Sequence, residues 1–239
     1  MRIVLIGATG MVGQGVLRAC LAAHDVTEVL VVGRRPLPAG YRDPRIQVFT
    51  LPDLAAFKAD DPAFRDVDAC FFCAGVSSFG MTEPAYRAVT YDLTLAVAKA
   101  LLQTSPNMTM VYVSGAGADS SEQGRSMWAR VRGETENALQ RLPFKQVAIF
   151  RPGAILTEDG VESRTALYRR LYVVLKPLLL LARWISPSSV LTTRIIGDAM
   201  LGVVRHGAPR AILAPADIHR LGSANATNAT NAATEANTV

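Results

Sequence analysis

The chain has 239 residues, half of them hydrophobic and 19% charged, with 25 Lys+Arg against 20 Asp+Glu and a net charge of +5. That length suits one sizeable α/β domain and is short for two. The basic surplus is mild and spread out rather than packed into runs, which argues against a nucleic-acid partner and is met equally well by an anionic ligand.

The first apolar run, Ile3-Val4-Leu5-Ile6, breaks into Gly7-Ala8-Thr9-Gly10-Met11-Val12-Gly13, and a helical stretch follows to about Ala23. A second run, Val29-Leu30-Val31-Val32, ends in Gly33-Arg34-Arg35, and Ile46 to Phe49 reads as a short third strand. Asp68 to Gly75 is a fourth. It carries Cys70 and Cys73, which with Cys20 make an odd count and no disulfide framework. Their CxxC spacing lies within a buried strand, where positions three apart face opposite ways, so both read as small core residues. A long helix is predicted from about Pro84 to Gln103, a fifth strand from Met108 to Val113, a helix from about Glu122 to Leu142, and a sixth strand from Gln146 to Phe150, stopped by Arg151-Pro152-Gly153. Strands alternating with helices predict a Rossmann-type, doubly wound parallel sheet.

Beyond Gly153 the pattern changes. Residues 163–185 look helical, basic on one side and apolar on the other, with a break at Pro177. The Leu167 to Ile185 stretch reads as a substrate lid, as an interfacial helix on an anionic membrane, or as a packed or dimer contact, with the membrane surface the least favoured of the three. Lys176, Pro177 and Arg183 interrupt it too often for a bilayer span. Thr192 or Thr193 is placed to cap a helix running to about His206, and Ala211-Ile212-Leu213 to form a last strand. From Gly222 the Ala, Asn and Thr composition predicts a disordered tail, residues 222–239. This gives a single domain over 1–221, with 153–221 as its lid or substrate portion. No signal peptide is visible, and the expected location is the cytoplasm.

Gly7, Gly10 and Gly13 have the spacing of a dinucleotide-binding turn: the first for the turn out of the strand, the second for approach of backbone amides to a pyrophosphate, the third for close helix–strand contact. The helix behind them offers unpaired N–H groups and a partial positive charge to phosphates. NAD-preferring sites place an acidic side chain at the end of the second strand. This chain has Arg34 and Arg35 there, which suits the 2′-phosphate of NADP, although both could also be solvated loop residues. NADP is the expected cofactor, with NAD second.

With Cys73-Ala74-Gly75, Val111-Tyr112-Val113-Ser114, Arg132-Gly133-Glu134 and Arg151-Pro152-Gly153 added to the glycine turn, the chain resembles the extended short-chain dehydrogenase/reductase superfamily over about residues 1–221. Within it the likeness is to the NmrA-like and Tat-interacting oxidoreductase-like group. The resemblance implies cofactor contacts from Gly7, Thr9, Gly10, Met11, Val12, Gly13, Arg34, Arg35, Ala74, Gly75, Ser114, Arg132, Pro152 and Gly153, and no metal. It also places Ser114 in the family's Ser position, hydrogen-bonding a substrate oxygen. The family's Tyr-x-x-x-Lys here reads Trp128-Ala129-Arg130-Val131-Arg132. Residues four apart share a helix face, so the geometry survives. A phenol with a pKa of about 10 exchanges protons usefully, whereas an indole N–H only donates a hydrogen bond. Arg132 retains the positive charge and the grip on ribose. Substitute acids are Tyr86, Tyr91, Tyr112, Tyr168 and Tyr172, with Tyr91 the first choice. The expectation is an NADP(H)-dependent oxidoreductase or epimerase-like enzyme on a small, largely apolar carbonyl or alcohol, using Ser114, Arg132 and Tyr91. The alternative is a non-catalytic NADP(H)-binding regulatory protein.

Overall fold

A computed structural model describes residues 1–38, 40–157 and 190–236, with side chains up to Thr227. The proposed lid segment, with Tyr168 and Tyr172, lies outside the described residues.

Strands β1 (Arg2–Ile6), β2 (Glu28–Gly33), β3 (Ile46–Thr50), β4 (Ala69–Phe72), β5 (Thr109–Val113) and β6 (Gln146–Phe150) join a final short strand, β9 (Ile212–Leu213), in one sheet. The order is β3-β2-β1-β4-β5-β6-β9, and every pairing is parallel. Two three-residue strands, β7 (Ala154–Leu156) and β8 (Val190–Thr192), pair separately. The helices are α1 (Met11–Ala22), α2 (Glu83–Arg87), α3 (Leu93–Thr104), α4 (Met127–Gln140), α5 (Thr193–His206) and α6 (Pro215–Ala236).

The strands read as nearly continuous apolar runs because both faces of the sheet are covered. Ile3, Leu5, Val29, Val31, Phe71 and Phe150 pack with Val16 and Cys20 of α1 and Ile196 and Met200 of α5. Their strand neighbours Val4, Ile6, Leu30, Val32, Cys70, Phe72 and Ile149 pack on the other face with Leu95, Ala98 and Leu101 of α3 and Leu139 of α4. Each such aliphatic side chain contributes about 1.5–3 kcal/mol on burial. Arg45 ties the leading end of β3 to the end of α1, donating to the carbonyls of Leu21, Ala23 and Val26 while its Nη2 meets Asp43 at 2.9 Å. That guanidinium holds the Asp43 carboxyl down at about 2.

Three expectations change. The helix predicted over 84–103 contains a π turn at Ala88–Asp92, in which Leu93 N–H donates to Ala88 O, five residues back. The helix predicted from Glu122 starts at Met127, because the Asp119 carboxylate collects the Ser121 N–H, the Ser121 hydroxyl and the Gly124 N–H into a loop, with Glu122 at φ +62°. The tail predicted to lose order at Gly222 instead continues α6 to Ala236. Asn225 is buried there and accepts from Arg205 of α5 at 2.7 Å. Gly222 lets the helix pass close to α5, since a Cβ there would lie 2.4 Å from Ile195 O.

Candidate functional site

Strand order reverses between β1 and β4, and a crevice opens at the carboxyl ends of the strands beside such a switch point. A cleft of about 1130 Å³ lies there. Gly7, Thr9 and Gly10 line it beside Ala74 and Gly75 from the end of β4, Arg34 and Arg35 from the end of β2, and Ser114, Trp128, Arg132, Pro152 and Gly153 at the far end.

The glycine turn is held by sterics. Gly7 has φ +85°, and a Cβ on it would lie 2.6 Å from Ala74 N. A Cβ on Gly13 would lie 2.1 Å from Gly7 O, so α1 rests directly on the turn. The first helical hydrogen bond runs from Gln14 N to Gly10 O at 2.9 Å, which leaves the amides of Met11, Val12 and Gly13 without a helical acceptor. No acidic residue occupies the first turn of α1. This donor set suits a phosphate group. Met11, Val12 and Gly13 are not among the residues that line the cleft. Arg34 and Arg35 are exposed and have no ion-pair partner among the described residues. Sequence reasoning missed Asp53, Leu54 and Ala55, which also line this end. Asp53 accepts from Ala55 N at 2.9 Å, a local turn for which the aspartate itself was the signal.

At the far end Ser114 follows β5, its amide bonded to Phe150 O at 2.8 Å. Its hydroxyl donates to Glu136 Oε1 at 2.5 Å. Glu136 has no exposed surface and is paired with Arg151, whose Nε lies 3.0 and 3.1 Å from its two oxygens and whose Nη2 meets both Glu136 and Ser120. The sequence held the signal for Glu136: it extends the four-residue spacing of Trp128 and Arg132 by one more helical turn. The Trp128 indole lies over the loop after Ser114, 3.4 Å from where a Gly117 Cβ would stand. Arg132 reaches across to Tyr86, its Nε 3.0 Å from the phenol oxygen, and to Val113 O at 3.2 Å. Burial pulls Arg132 down, but the phenols of Tyr112 and Tyr86 outweigh that and hold the guanidinium above its ordinary value.

Tyr91, the expected acid, does not line the cleft: its ring lies 4.2 Å beneath the Arg87 guanidinium, which pairs with Glu134. Tyr86, Val89 and Leu93, spaced i, i+3 and i+7, line the cleft, and Tyr91 falls outside that face. Tyr112 is fully buried outside the cleft, and burial pushes its phenol up to about 12. Cys70 is buried in the core as expected, while Cys73 reaches the cleft lining.

No family model matches the chain. Among curated proteins, "Protein fmp52, mitochondrial" of Emericella nidulans is 30% identical over 169 residues, covering 69% of this chain and 70% of that protein. "Protein fmp52-1, mitochondrial" of Aspergillus terreus is 29% identical over 161 residues, covering 64% and 66%. "Protein HTATIP2" of Rattus norvegicus is 28% identical over 163 residues, covering 67% and 61%. The matches thus span about two thirds of these relatives' length. The fungal relatives are named mitochondrial, which overturns the cytoplasmic expectation.

Among solved structures, a UDP-galactose 4-epimerase aligns with a TM-score of 0.64 at 16% identity, covering 89% of this chain and 75% of that one. Gre2 of Candida albicans in complex with NADPH aligns at 0.64 and 15%, covering 86% and 75%. MoeE5 in complex with UDP-glucose and NAD aligns at 0.62 and 15%, covering 89% and 74%. At these identities the likeness is one of fold: a parallel Rossmann-like sheet flanked by helices, as in reductases and epimerases. The chain belongs to the family of the fungal Fmp52 proteins.

Proposed function

We propose that the chain is an NADP(H)-dependent oxidoreductase or epimerase-like enzyme acting on a small, largely apolar carbonyl or alcohol. The observation that carries this reading is the layout of one cleft. Phosphate-ready amides stand at its centre, two arginines without ion-pair partners among the described residues stand at the β2 end, and Ser114, Trp128 and Arg132 stand at the other end. Arg34 and Arg35 favour a 2′-phosphate, and Arg132 supplies positive charge where a nicotinamide ribose would lie. The cofactor, when bound, supplies hydride chemistry. MoeE5 is in complex with NAD and Gre2 with NADPH, which supports the cofactor class. The fungal relatives' names support a mitochondrial setting.

A second reading has its own observation. Trp128 fills the position from which the family's tyrosine acts, which favours an NADP(H)-binding regulator without turnover. The two separate in one experiment: incubation with NADPH and a panel of aldehydes and ketones, following coenzyme absorbance. Substrate-dependent oxidation establishes the enzyme. Tight NADPH binding with no oxidation across the panel, and activity only after Trp128→Tyr with Arg132→Lys, establishes the regulator.

A further inference from the structure

We propose that Tyr86 is the proton donor of this site, acting against Arg132 as its fixed cation. The inference rests on the enzyme reading and names the group that the sequence departure at position 128 leaves open. A tyrosine and its cation would then meet across two helices, Tyr86 from α2 and Arg132 from α4, rather than one turn apart on a single helix.

Trp128 offers an indole N–H, which does not titrate in a useful range. Ser114 lines the cleft, but its proton is committed to the buried Glu136 carboxylate, so towards the cleft its oxygen accepts rather than donates. Arg132 holds its proton too firmly to act as an acid, given the phenols and carboxylate around it. Tyr86 differs from all three. Its oxygen accepts from Arg132 Nε at 3.0 Å, and among the described residues its own hydroxyl proton meets no acceptor. Its ring is otherwise buried and held by packing, so the phenol is fixed in place. Tyr91 and Tyr112 lie outside the cleft lining.

The step balances. The carbonyl carbon takes hydride from the reduced dinucleotide, the electron donor; the π pair moves onto the carbonyl oxygen; and that oxygen takes the proton from Tyr86 Oη. The phenolate left behind lies against Arg132 until water returns a proton. A fixed guanidinium lowers the cost of that transient charge on the buried phenol.

The test uses the full chain and Tyr86→Phe, with NADPH affinity by titration, turnover on the carbonyl panel, and the Cζ resonance of isotope-labelled tyrosine in the complex with NADP⁺ and acetophenone, a pair with no hydride to transfer. Expected results are NADPH affinity within about threefold of the parent, a fall in turnover of roughly 10²–10⁴-fold, the usual weight of a general acid, and movement on acetophenone addition of the one resonance missing from the variant. Partial recovery of turnover in Tyr86→Phe with Trp128→Tyr would support the same assignment, because it restores a phenol on the neighbouring helix. Turnover retained in Tyr86→Phe overturns the role of Tyr86 while the enzyme reading stands. If no carbonyl of the panel makes the parent oxidise NADPH, the enzyme reading falls, and the resonance decides separately: a Tyr86 signal that stays fixed at saturating acetophenone overturns the proposal.

Discussion

Ser114 donates its hydroxyl proton to Glu136, a carboxylate with no exposed surface whose charge is met by Arg151. The pair ties the end of β5, the middle of α4 and the end of β6 together immediately behind the cleft. A buried carboxylate stripped of its partner, or a guanidinium stripped of its carboxylate, leaves an uncompensated charge.

Glu136→Gln should therefore lower stability by about 3 kcal/mol, read as a drop in the urea midpoint at unchanged slope. Replacing both partners, Glu136→Leu with Arg151→Met, should recover most of that loss, because an apolar pair of similar volume carries no stranded charge. A double variant no more stable than Glu136→Gln would refute this account of the pair.

Arg34→Ala with Arg35→Ala should weaken NADPH binding by roughly tenfold or more, since a hydrogen bond to a charged group contributes about 1.5–3 kcal/mol. NADH affinity should stay within about threefold, because that coenzyme has no 2′-phosphate to lose. Parallel calorimetric titrations give the ratio. Equal losses for both coenzymes would mean that the arginines act only as a diffuse positive field.

Gly13→Ala forces a methyl group into the space of Gly7 O. Overpacking of this kind costs roughly 1–3 kcal/mol, and here the yielding part is the phosphate-facing turn itself. Thermal melting should show lowered stability together with a loss of NADPH affinity. Normal stability with normal affinity would place the third glycine outside the site.

The Asp43–Arg45 pair sets a pH dependence. The folded-state carboxyl is held below its ordinary value of 3.8, at about 2. Its contribution is therefore complete above the ordinary value and disappears as pH falls towards about 2. Asp43→Asn should be less stable than the parent at neutral pH, and the difference should close between roughly pH 4 and pH 2. A gap that stays constant through that window would assign the loss to the clamp's geometry and not to its charge.

Much of this was written plainly along the chain. Alternation of Ile3/Leu5 against Val4/Ile6 sorts cleanly onto the two faces of the sheet, and the glycine turn places itself because only glycine fits where β1, β4 and α1 converge. The capping threonine of α5 was equally legible, with Thr192 Oγ1 accepting from Ile195 N at 3.2 Å. What escaped has physical reasons. Tyr91 was preferred to Tyr86 although helical spacing places Tyr86, Val89 and Leu93 on one side and Tyr91 off it. The four-residue spacing puts Glu136 on the face of Trp128 and Arg132, but its pairing with Arg151, a strand away, has no local signal. Asn225 looked solvated because composition cannot register a contact with Arg205, twenty residues earlier.

The π turn at Ala88–Asp92 has an evolutionary corollary. Loss of one codon within it would regularise the helix and swing Tyr86 by about 100° around the axis relative to α3, pulling it from Arg132 and Arg87 from Glu134 while the sheet stayed intact. Chemistry and scaffold are thus separable in this lineage by the smallest in-frame deletion a gene can suffer.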